Sequence, residues 1–175
     1  EQFIDELKSR APRLRAIIHN ASLWLDDSSG ADALQQMFMV HMQAPYLINQ
    51  QCHDLFPADA PADIIHLTDD VTRKGSAKHV GYCASKAGLA ALTRSWAKDL
   101  APDVRVNGVS PGAILWPESN GAIDKSYQKA IVEKTPLATT GNPDDIARTV
   151  VFLMCDAPFI TGQIISVDGG RSLNM

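Results

Sequence analysis

Ile64-Ile65-His66-Leu67-Thr68 is a short apolar run, followed by polar residues 69–78 and by an amphipathic stretch over about 80–100. The next apolar run is Val104-Arg105-Val106-Asn107-Gly108-Val109. Continuous short apolar runs predict strands that are buried on both faces, and the longer amphipathic stretch predicts a helix. A strand, a crossover helix and a second strand form a βαβ unit, so this part of the chain predicts a parallel sheet.

The same alternation of helix and strand extends toward both ends of the chain. Asn142-Pro143 predicts a helix start, because Asn is a favoured N-cap and Pro a favoured first residue. The order of elements predicts an α/β fold, a Rossmann-type doubly wound parallel sheet with helices on both faces. The further predicted elements are a helix over 1–10, a strand within Leu14–His19, a long helix over 32–56 kinked at Pro45, an irregular loop over 112–123, a helix over 124–134, a helix from Asn142 to about Cys155 and a strand at Ile164–Val167.

The composition narrows the class of protein. The 175 residues carry 16 Lys and Arg against 20 Asp and Glu, a net charge of −4, with no basic stripe for a nucleic acid. Every apolar run is shorter than the roughly 18 residues of a membrane span, and the length predicts a single domain over 1–175. Cys52, Cys83 and Cys155 form no C-x-x-C pair, and residues 1–7 do not resemble a signal peptide, which predicts three buried, reduced thiols in a cytoplasmic protein.

Three loops follow predicted strands, at residues 20–30, 69–80 and 111–123. In an open parallel sheet, ligands bind at the carboxyl ends of the strands. We therefore expect these three loops to share one edge of the sheet and to form the functional site.

Tyr82 and Lys86 are four residues apart, so they occupy one face of the helix over about 80–100. A nearby ammonium lowers the pKa of a phenol from about 10, which predicts a tyrosine able to exchange protons near neutral pH. Asp69 ends the preceding strand and should reach the same edge. It is either a hydrogen-bonding partner of Tyr82 or only an acid that forms the turn.

Four motifs occur in an order that resembles the short-chain dehydrogenase/reductase family. They are His19-Asn20-Ala21-Ser22, Tyr82-Cys83-Ala84-Ser85-Lys86, Asn107-Gly108-Val109-Ser110-Pro111-Gly112, and Ile160-Thr161-Gly162-Gln163 leading to Val167-Asp168-Gly169-Gly170.

Three departures from that pattern resemble its pteridine-reductase branch. Asp69 stands where most members have Ser, Ser22 replaces Gly in the Asn-Ala-Gly turn, and the aromatic Trp24 follows. The closer likeness is to the bacterial enzymes that reduce dihydromonapterin and have a side activity on dihydrofolate.

The resemblance implies roles for the reacting groups. Tyr82 would be the proton donor, Lys86 would bind the nicotinamide ribose and tune Tyr82, and Asp69 would pair with Tyr82 and assist protonation. Trp24 would stack on the pterin; the alternative is a half-buried anchor of its loop. Ser22 would contact both the pterin and the cofactor, which the resemblance implies is NADPH.

Further residues are implied to lie around the cofactor. Asn20 and Ala21 would line the adenosine-ribose side, and Pro111, Gly112 and Ile114 would pack on the nicotinamide carboxamide, Ile114 through its backbone alone. The histidines show no metal spacing, and the implied chemistry needs no metal.

His41 stands where most family members have an Asn that holds a water in the proton relay. It could take over that relay, or it could be a hydrogen-bonded helix histidine without a part in the chemistry.

The resemblance implies NADPH-dependent reduction of a dihydropterin, such as dihydromonapterin, dihydrobiopterin or dihydrofolate, to its tetrahydro form. A carbonyl or 3-oxoacyl reductase of the same family, and a non-catalytic binding or regulatory module, are the alternatives. The family's glycine-rich turn is not among residues 1–175, so we expect an N-terminal βαβ portion of roughly 55–65 residues before Glu1. The family also implies a homotetramer, or a homodimer, built through the helices over 32–56 and 80–100.

Overall fold

The computed structural model describes residues 2–116 and 124–173, so residues 117–123 of the predicted loop lie outside the described residues. Its sheet has four strands that are all parallel and lie side by side in sequence order. This arrangement confirms the predicted parallel α/β fold. The strands are β1 (Ala16–His19), β2 (Ala62–Leu67), β3 (Val104–Pro111) and β4 (Ile164–Val167).

Seven α-helices are described, and they connect and cover these strands. They are α1 (Gln2–Arg10), α2 (Gly30–Phe38), α3 (Ala44–Gln51), α4 (Val71–Lys74), α5 (Val80–Asp99), α6 (Lys125–Glu133) and α7 (Pro143–Cys155). No helix within residues 2–116 and 124–173 is long and apolar enough to cross a membrane.

Both faces of the sheet are covered, as neighbouring residues of β2 show. Ile64 packs against Ala97 and Leu100 at the end of α5, whereas Ile65 packs with Val150 and Leu153 of α7. Successive side chains of a strand point to opposite faces, so α5 and α7 lie on opposite sides of the sheet. All six residues of β2 are buried, which explains why that run is continuously apolar apart from Asp63 and His66.

The long helix predicted over 32–56 is divided, and this corrects the prediction of a simple kink at Pro45. A π-helical turn at Met39–Gln43 separates α2 from α3. Pro45 has no N–H to bond the carbonyl of His41, so the regular ladder cannot continue through this position. The wider turn directly before the proline accommodates this break, and it places His41 in the interior with only 1% of its surface exposed.

The helix start at Asn142 is confirmed. The Asn142 side chain accepts the N–H of Asp144 at 3.0 Å, and the Asp145 carboxylate accepts the N–H of Asn142 at 2.8 Å, which is a capping box. The predicted loop over 69–78 is only partly correct, because it contains the single-turn helix α4.

The prediction of three buried thiols is wrong for two of the cysteines. Cys52 is buried between α1 and α3, but Cys83 is half-buried and Cys155 is exposed. Cys155 is the last residue of α7, where the apolar pattern of the helix no longer faces the sheet. All three thiols are free.

Candidate active site

The loops that follow β1, β2 and β3 meet at one edge of the sheet, as expected, and enclose a cleft of about 700 Å3. One part of the cleft is polar and holds the side chains of both candidate catalytic helix residues, Tyr82 and Lys86. The other part is an apolar wall to which Ile114, Leu115 and the α7 residues Ile146 and Val151 contribute. Such a combination suits a flat, largely apolar ligand with a few polar atoms.

Tyr82 and Asp69 are joined by a hydrogen bond in which the Tyr82 Oη donates to Asp69 Oδ2 at 2.7 Å. The second oxygen of Asp69 accepts the backbone N–H of Val71 at 3.0 Å. Burial raises the pKa of Asp69 to about 6, although these two hydrogen bonds oppose the shift. Asp69 can therefore hold a proton near neutral pH, which an ordinary exposed carboxyl cannot do.

The expected lowering of the Tyr82 pKa by Lys86 is wrong for this state of the protein. Burial, and then the negative charge and hydrogen bond of Asp69, raise the pKa of Tyr82 instead. The Lys86 Nζ lies 5.9 Å from the centre of the Tyr82 ring, so its attraction for a phenolate is weaker than these effects. Tyr82 stays protonated at neutral pH, as a proton donor must.

Lys86 is buried beneath the cleft, with 2% of its surface exposed. Its Nζ donates one hydrogen to the carbonyl of Leu67, the last residue of β2, at 2.8 Å. Burial lowers the pKa of Lys86 to about 8, and the charge of Asp69 opposes the shift. The ammonium is therefore charged at neutral pH and has two further hydrogens that it can donate to a bound hydroxyl group.

His41 is hydrogen-bonded at both ring nitrogens. Its Nε2 accepts the N–H of Leu23 at 3.0 Å and lies 3.1 Å from the Ser22 hydroxyl. Because the Ser85 hydroxyl donates to the carbonyl of Tyr82, it accepts the hydrogen of His41 Nδ1 at 2.8 Å. Burial lowers the pKa of His41 to about 4, so the ring is neutral. His41 is thus a hydrogen-bonded helix histidine that Ser22 also links to Tyr82, and a part in the proton relay stays a prediction.

Trp24 packs edge-on against Tyr82, with 4.3 Å between ring centres, and lies 4.1 Å from the His79 ring. Nearly half of its surface, 48%, remains exposed. Ser22, two residues before Trp24, lines the cleft, and its hydroxyl also hydrogen-bonds Tyr82. The structure therefore brings Ser22, Trp24 and Tyr82 together, and their roles in substrate binding stay a prediction.

The residues expected around the cofactor are divided between the cleft and its border. Asn20, Pro111 and Ile114 line the cleft, whereas Ala21 is exposed beside it. Gly112 packs so closely on the backbone of Asp168 that a Cβ there would lie 2.7 Å from Cα of Asp168. That contact explains why the turn after β3 requires glycine.

Two acidic residues to which the sequence assigned no role also shape the site. Asp70 is buried, and its carboxylate is 2.5 Å from Lys74 Nζ and 3.7 Å from Arg171 Nε. The spacing of Asp70 and Lys74, four residues apart, was the available signal for that ion pair. Asp27 binds the first turn of α5, and no local sequence pattern indicates this contact.

Comparisons with known proteins agree with this geometry. A family described as enoyl-(acyl carrier protein) reductase matches residues 1–172. The chain is 39% identical to a dihydromonapterin reductase of Citrobacter koseri and 38% identical to one of Klebsiella pneumoniae. In both cases the match covers 98% of this chain and 72% of the relative.

Solved structures give the same result. A structure described as FolM alternative dihydrofolate reductase 1 from Brucella canis, complexed with NADP, superposes with a TM-score of 0.87 at 28% identity. The match covers 99% of this chain and 69% of that one. The corresponding NADP complex from Brucella suis gives 0.84 at 27% identity, over 98% of this chain and 68% of that one. The chain therefore belongs to the short-chain dehydrogenase/reductase family, in the branch that contains the dihydromonapterin reductases.

Proposed function

We propose that this protein catalyses the NADPH-dependent reduction of a dihydropterin, such as dihydromonapterin, dihydrobiopterin or dihydrofolate, to its tetrahydro form. The observation that carries the proposal is the 2.7 Å hydrogen bond between Tyr82 and Asp69 at the floor of the cleft. The similarity to dihydromonapterin reductases supports the same substrate class.

The chemistry of a pterin explains why a carboxyl group is useful at this position. A carbonyl substrate develops an oxyanion, which a hydroxyl group can stabilise by donating a hydrogen bond. A dihydropterin instead receives hydride at C6 and must receive a proton at N5. A buried carboxyl whose pKa is about 6 can store that proton beside Tyr82.

The direction of the hydrogen bond suggests how the proton moves. When Asp69 is ionised, the Tyr82 hydrogen points at the carboxylate and not into the cleft. When Asp69 is protonated, its own hydroxyl can donate to the Tyr82 Oη, and the phenolic hydrogen is free to point at N5. The protonated form of Asp69 is therefore the productive one.

The residues of the cleft fit the nicotinamide end of the cofactor, which supplies the hydride when it is bound. The buried Lys86 ammonium has two hydrogens for ribose hydroxyls, since it gives only one to Leu67. Pro111 and Ile114 offer an apolar surface for the flat ring, and Asn20, directly after β1, offers an amide. The NADP found in the Brucella relatives supports the choice of cofactor.

A panel of substrates tests the proposal. We expect the full-length protein to oxidise NADPH rapidly with dihydromonapterin or dihydrobiopterin, more slowly with dihydrofolate, and weakly with a simple ketone or a 3-oxoacyl thioester. Product analysis should identify the tetrahydropterin. Faster turnover of the 3-oxoacyl thioester than of every dihydropterin would overturn the proposal in favour of an acyl reductase.

The pH dependence of the reaction tests the role of Asp69. Because the protonated carboxyl is the productive form, we expect kcat/KM for the dihydropterin to fall about tenfold per pH unit above the Asp69 pKa of about 6. Steady-state rates across the pH range, at saturating NADPH, provide the measurement. Asp69→Asn should be slower and should lose this limb of the profile, because an amide does not titrate in this range. An unchanged limb in Asp69→Asn would assign it to another group.

We further propose a homotetramer, or a homodimer, whose subunits meet through the long helices. Phe38, Met39 and Tyr46 expose apolar surface, and with Met42 and Leu92 they border a groove of about 370 Å3 between α2, α3 and α5. Light scattering should show a mass several times that of the subunit, and Met39→Glu should lower it, because a charge there opposes burial. A monomeric wild-type protein would exclude this assembly.

A further inference from the structure

The segment Ser22–Ser29, which we name the tryptophan segment, begins at Ser22 in the lining of the cleft and carries Trp24. One end of this segment is fixed by His41, which accepts the N–H of Leu23. The other end is fixed by Asp27, whose carboxylate reaches the first turn of α5. Trp24 lies between these two attachments.

Asp27 binds two consecutive backbone N–H groups of α5. Its Oδ2 accepts the N–H of Val80 at 2.7 Å, and its Oδ1 accepts the N–H of Gly81 at 3.1 Å. The backbone N–H of Asp27 also donates to the carbonyl of Lys78 at 2.9 Å. A carboxylate at a helix N-terminus is favoured by the helix dipole, and its hydrogen bonds are strengthened by its charge.

The helix has no cap of its own at this end. His79 is the N-cap residue of α5, and its side chain makes no capping hydrogen bond. The His79 ring instead donates from Nδ1 to the carbonyl of Leu25, at 3.3 Å. Asp27 therefore caps α5 across a separation of 53 residues, and His79 adds a second link between the helix and the tryptophan segment.

Gly81 makes the close approach possible. A Cβ at this position would lie 3.0 Å from the Met37 side chain, 3.1 Å from that of Leu34 and 3.6 Å from Asp27 Oδ1. The absence of a side chain thus lets both α2 and Asp27 pack on the first turn of α5. Tyr82 is the next residue along the helix, so a change in this packing is transmitted directly to it.

We propose that Asp27 is a positioning residue, which ties the tryptophan segment to the first turn of α5 and thereby sets the distance between the rings of Trp24 and Tyr82. That distance is 4.3 Å between ring centres. The inference deepens the proposed function, because the position of the tryptophan beside the tyrosine determines how a flat substrate stacked on the tryptophan meets the proton donor. The hydrogen bonds of the Asp27 carboxylate go to the backbone of α5 and not to either ring.

Two substitutions at Asp27 test this positioning role, and one substitution at the neighbouring Asp26 serves as the control. Asp27→Ala removes both hydrogen bonds to α5, whereas Asp27→Asn keeps the size of the side chain and can accept only through one atom. Asp26→Ala is the matched control, because the adjacent carboxylate makes its hydrogen bonds to the N–H and the side chain of Ser28 within its own turn, whereas that of Asp27 binds the backbone of α5.

Fluorine NMR of the full-length protein labelled with 5-fluorotryptophan reports the position of Trp24 without any substrate. The chain has three tryptophans, Trp24, Trp96 and Trp116, and Trp24→Phe assigns the first resonance. We expect the Trp24 resonance to shift and broaden in both Asp27 variants, and the other two to stay in place. In Asp26→Ala all three resonances should match the wild type.

Steady-state kinetics provides the second measurement. We expect KM for the dihydropterin to rise about tenfold in Asp27→Asn, on the scale of losing one charge-assisted hydrogen bond, while the Kd for NADPH changes less than about twofold. A Trp24 resonance and a KM that both match those of Asp26→Ala would overturn the inference, even if the thermal stability fell. A wild-type protein inactive on every dihydropterin would instead refute the proposed function, and the NMR result would still decide the role of Asp27.

Discussion

Tyr82→Phe should lower kcat for dihydropterin reduction by at least about a hundredfold, which is the usual contribution of a positioned proton donor. The substitution removes only the oxygen that donates to Asp69 at 2.7 Å. The ring remains, with its edge contacts to Trp24 and His41, so the shape of the cleft is preserved. Binding of NADPH, followed by its fluorescence, should therefore change little.

The control for this variant is Tyr127→Phe, which removes a phenolic oxygen from an exposed position on α6. Its kcat should equal that of the wild type. If Tyr82→Phe retains more than about a tenth of the wild-type kcat, the proton reaches the substrate by another route. The combined variant with Asp69→Asn then shows whether Asp69 supplies that route, because a second large loss would appear only in that case.

The parallel α/β fold could be predicted from the sequence because each pattern that indicates a helix or a strand involves residues close together in the chain. The continuous apolar run of β2 follows from burial on both faces of the sheet, and the cap at Asn142 uses groups within three residues of one another. The spacing of Tyr82 and Lys86 placed both side chains on one face of α5, where the structure has them at the same cleft.

Properties of the site that depend on distant parts of the chain could not be predicted in the same way. The pKa of Tyr82 was expected to fall because of Lys86, but burial and Asp69 raise it. Burial depends on how the loop after β1 folds over the helix, and helical spacing contains no information about that. The contact of Asp27 with Val80 has the same origin, since it joins residues that are 53 positions apart.

His41 illustrates both what a local sequence pattern can predict and what only the folded structure shows. Its position before Pro45 identified it as the counterpart of the family's relay residue, but only the structure shows that Leu23, Ser22 and Ser85 surround the ring. The π-helical turn at Met39–Gln43 directs the side chain inward. The same burial that favours a structural role gives the protein a specific response to acid.

Lowering the pH from about 7.5 to about 5 should reduce the free energy of unfolding by about 2–3 kcal/mol. Three histidines have pKa values below the ordinary 6.5 because they are buried: His66 at about 3, His41 at about 4, and His19, which is also lowered. The unfolded chain binds protons at these residues as the pH falls through about 6.5, whereas the folded protein does not, so the unfolded state is favoured. For His66 and His41 the loss at about pH 5 is about 2 kcal/mol each.

Asp69 contributes in the opposite direction. Its pKa is higher in the folded protein, at about 6, than in an unfolded chain, so its ionised form destabilises the fold at neutral pH. Protonation relieves that cost and returns about 1 kcal/mol at about pH 5. His66 and His41 together outweigh this gain, and the net change in the free energy of unfolding remains a loss.

Urea unfolding followed by circular dichroism at the two pH values measures the effect, and His66→Asn identifies its source. The His66 ring donates from Nδ1 to Thr93 at 2.9 Å, and an asparagine amide can replace that donor without binding a proton in acid. The loss of stability on acidification should shrink by about 2 kcal/mol in His66→Asn. It should be unchanged in His53→Gln, because His53 is exposed. An undiminished loss in His66→Asn would show that the acid sensitivity arises at other groups.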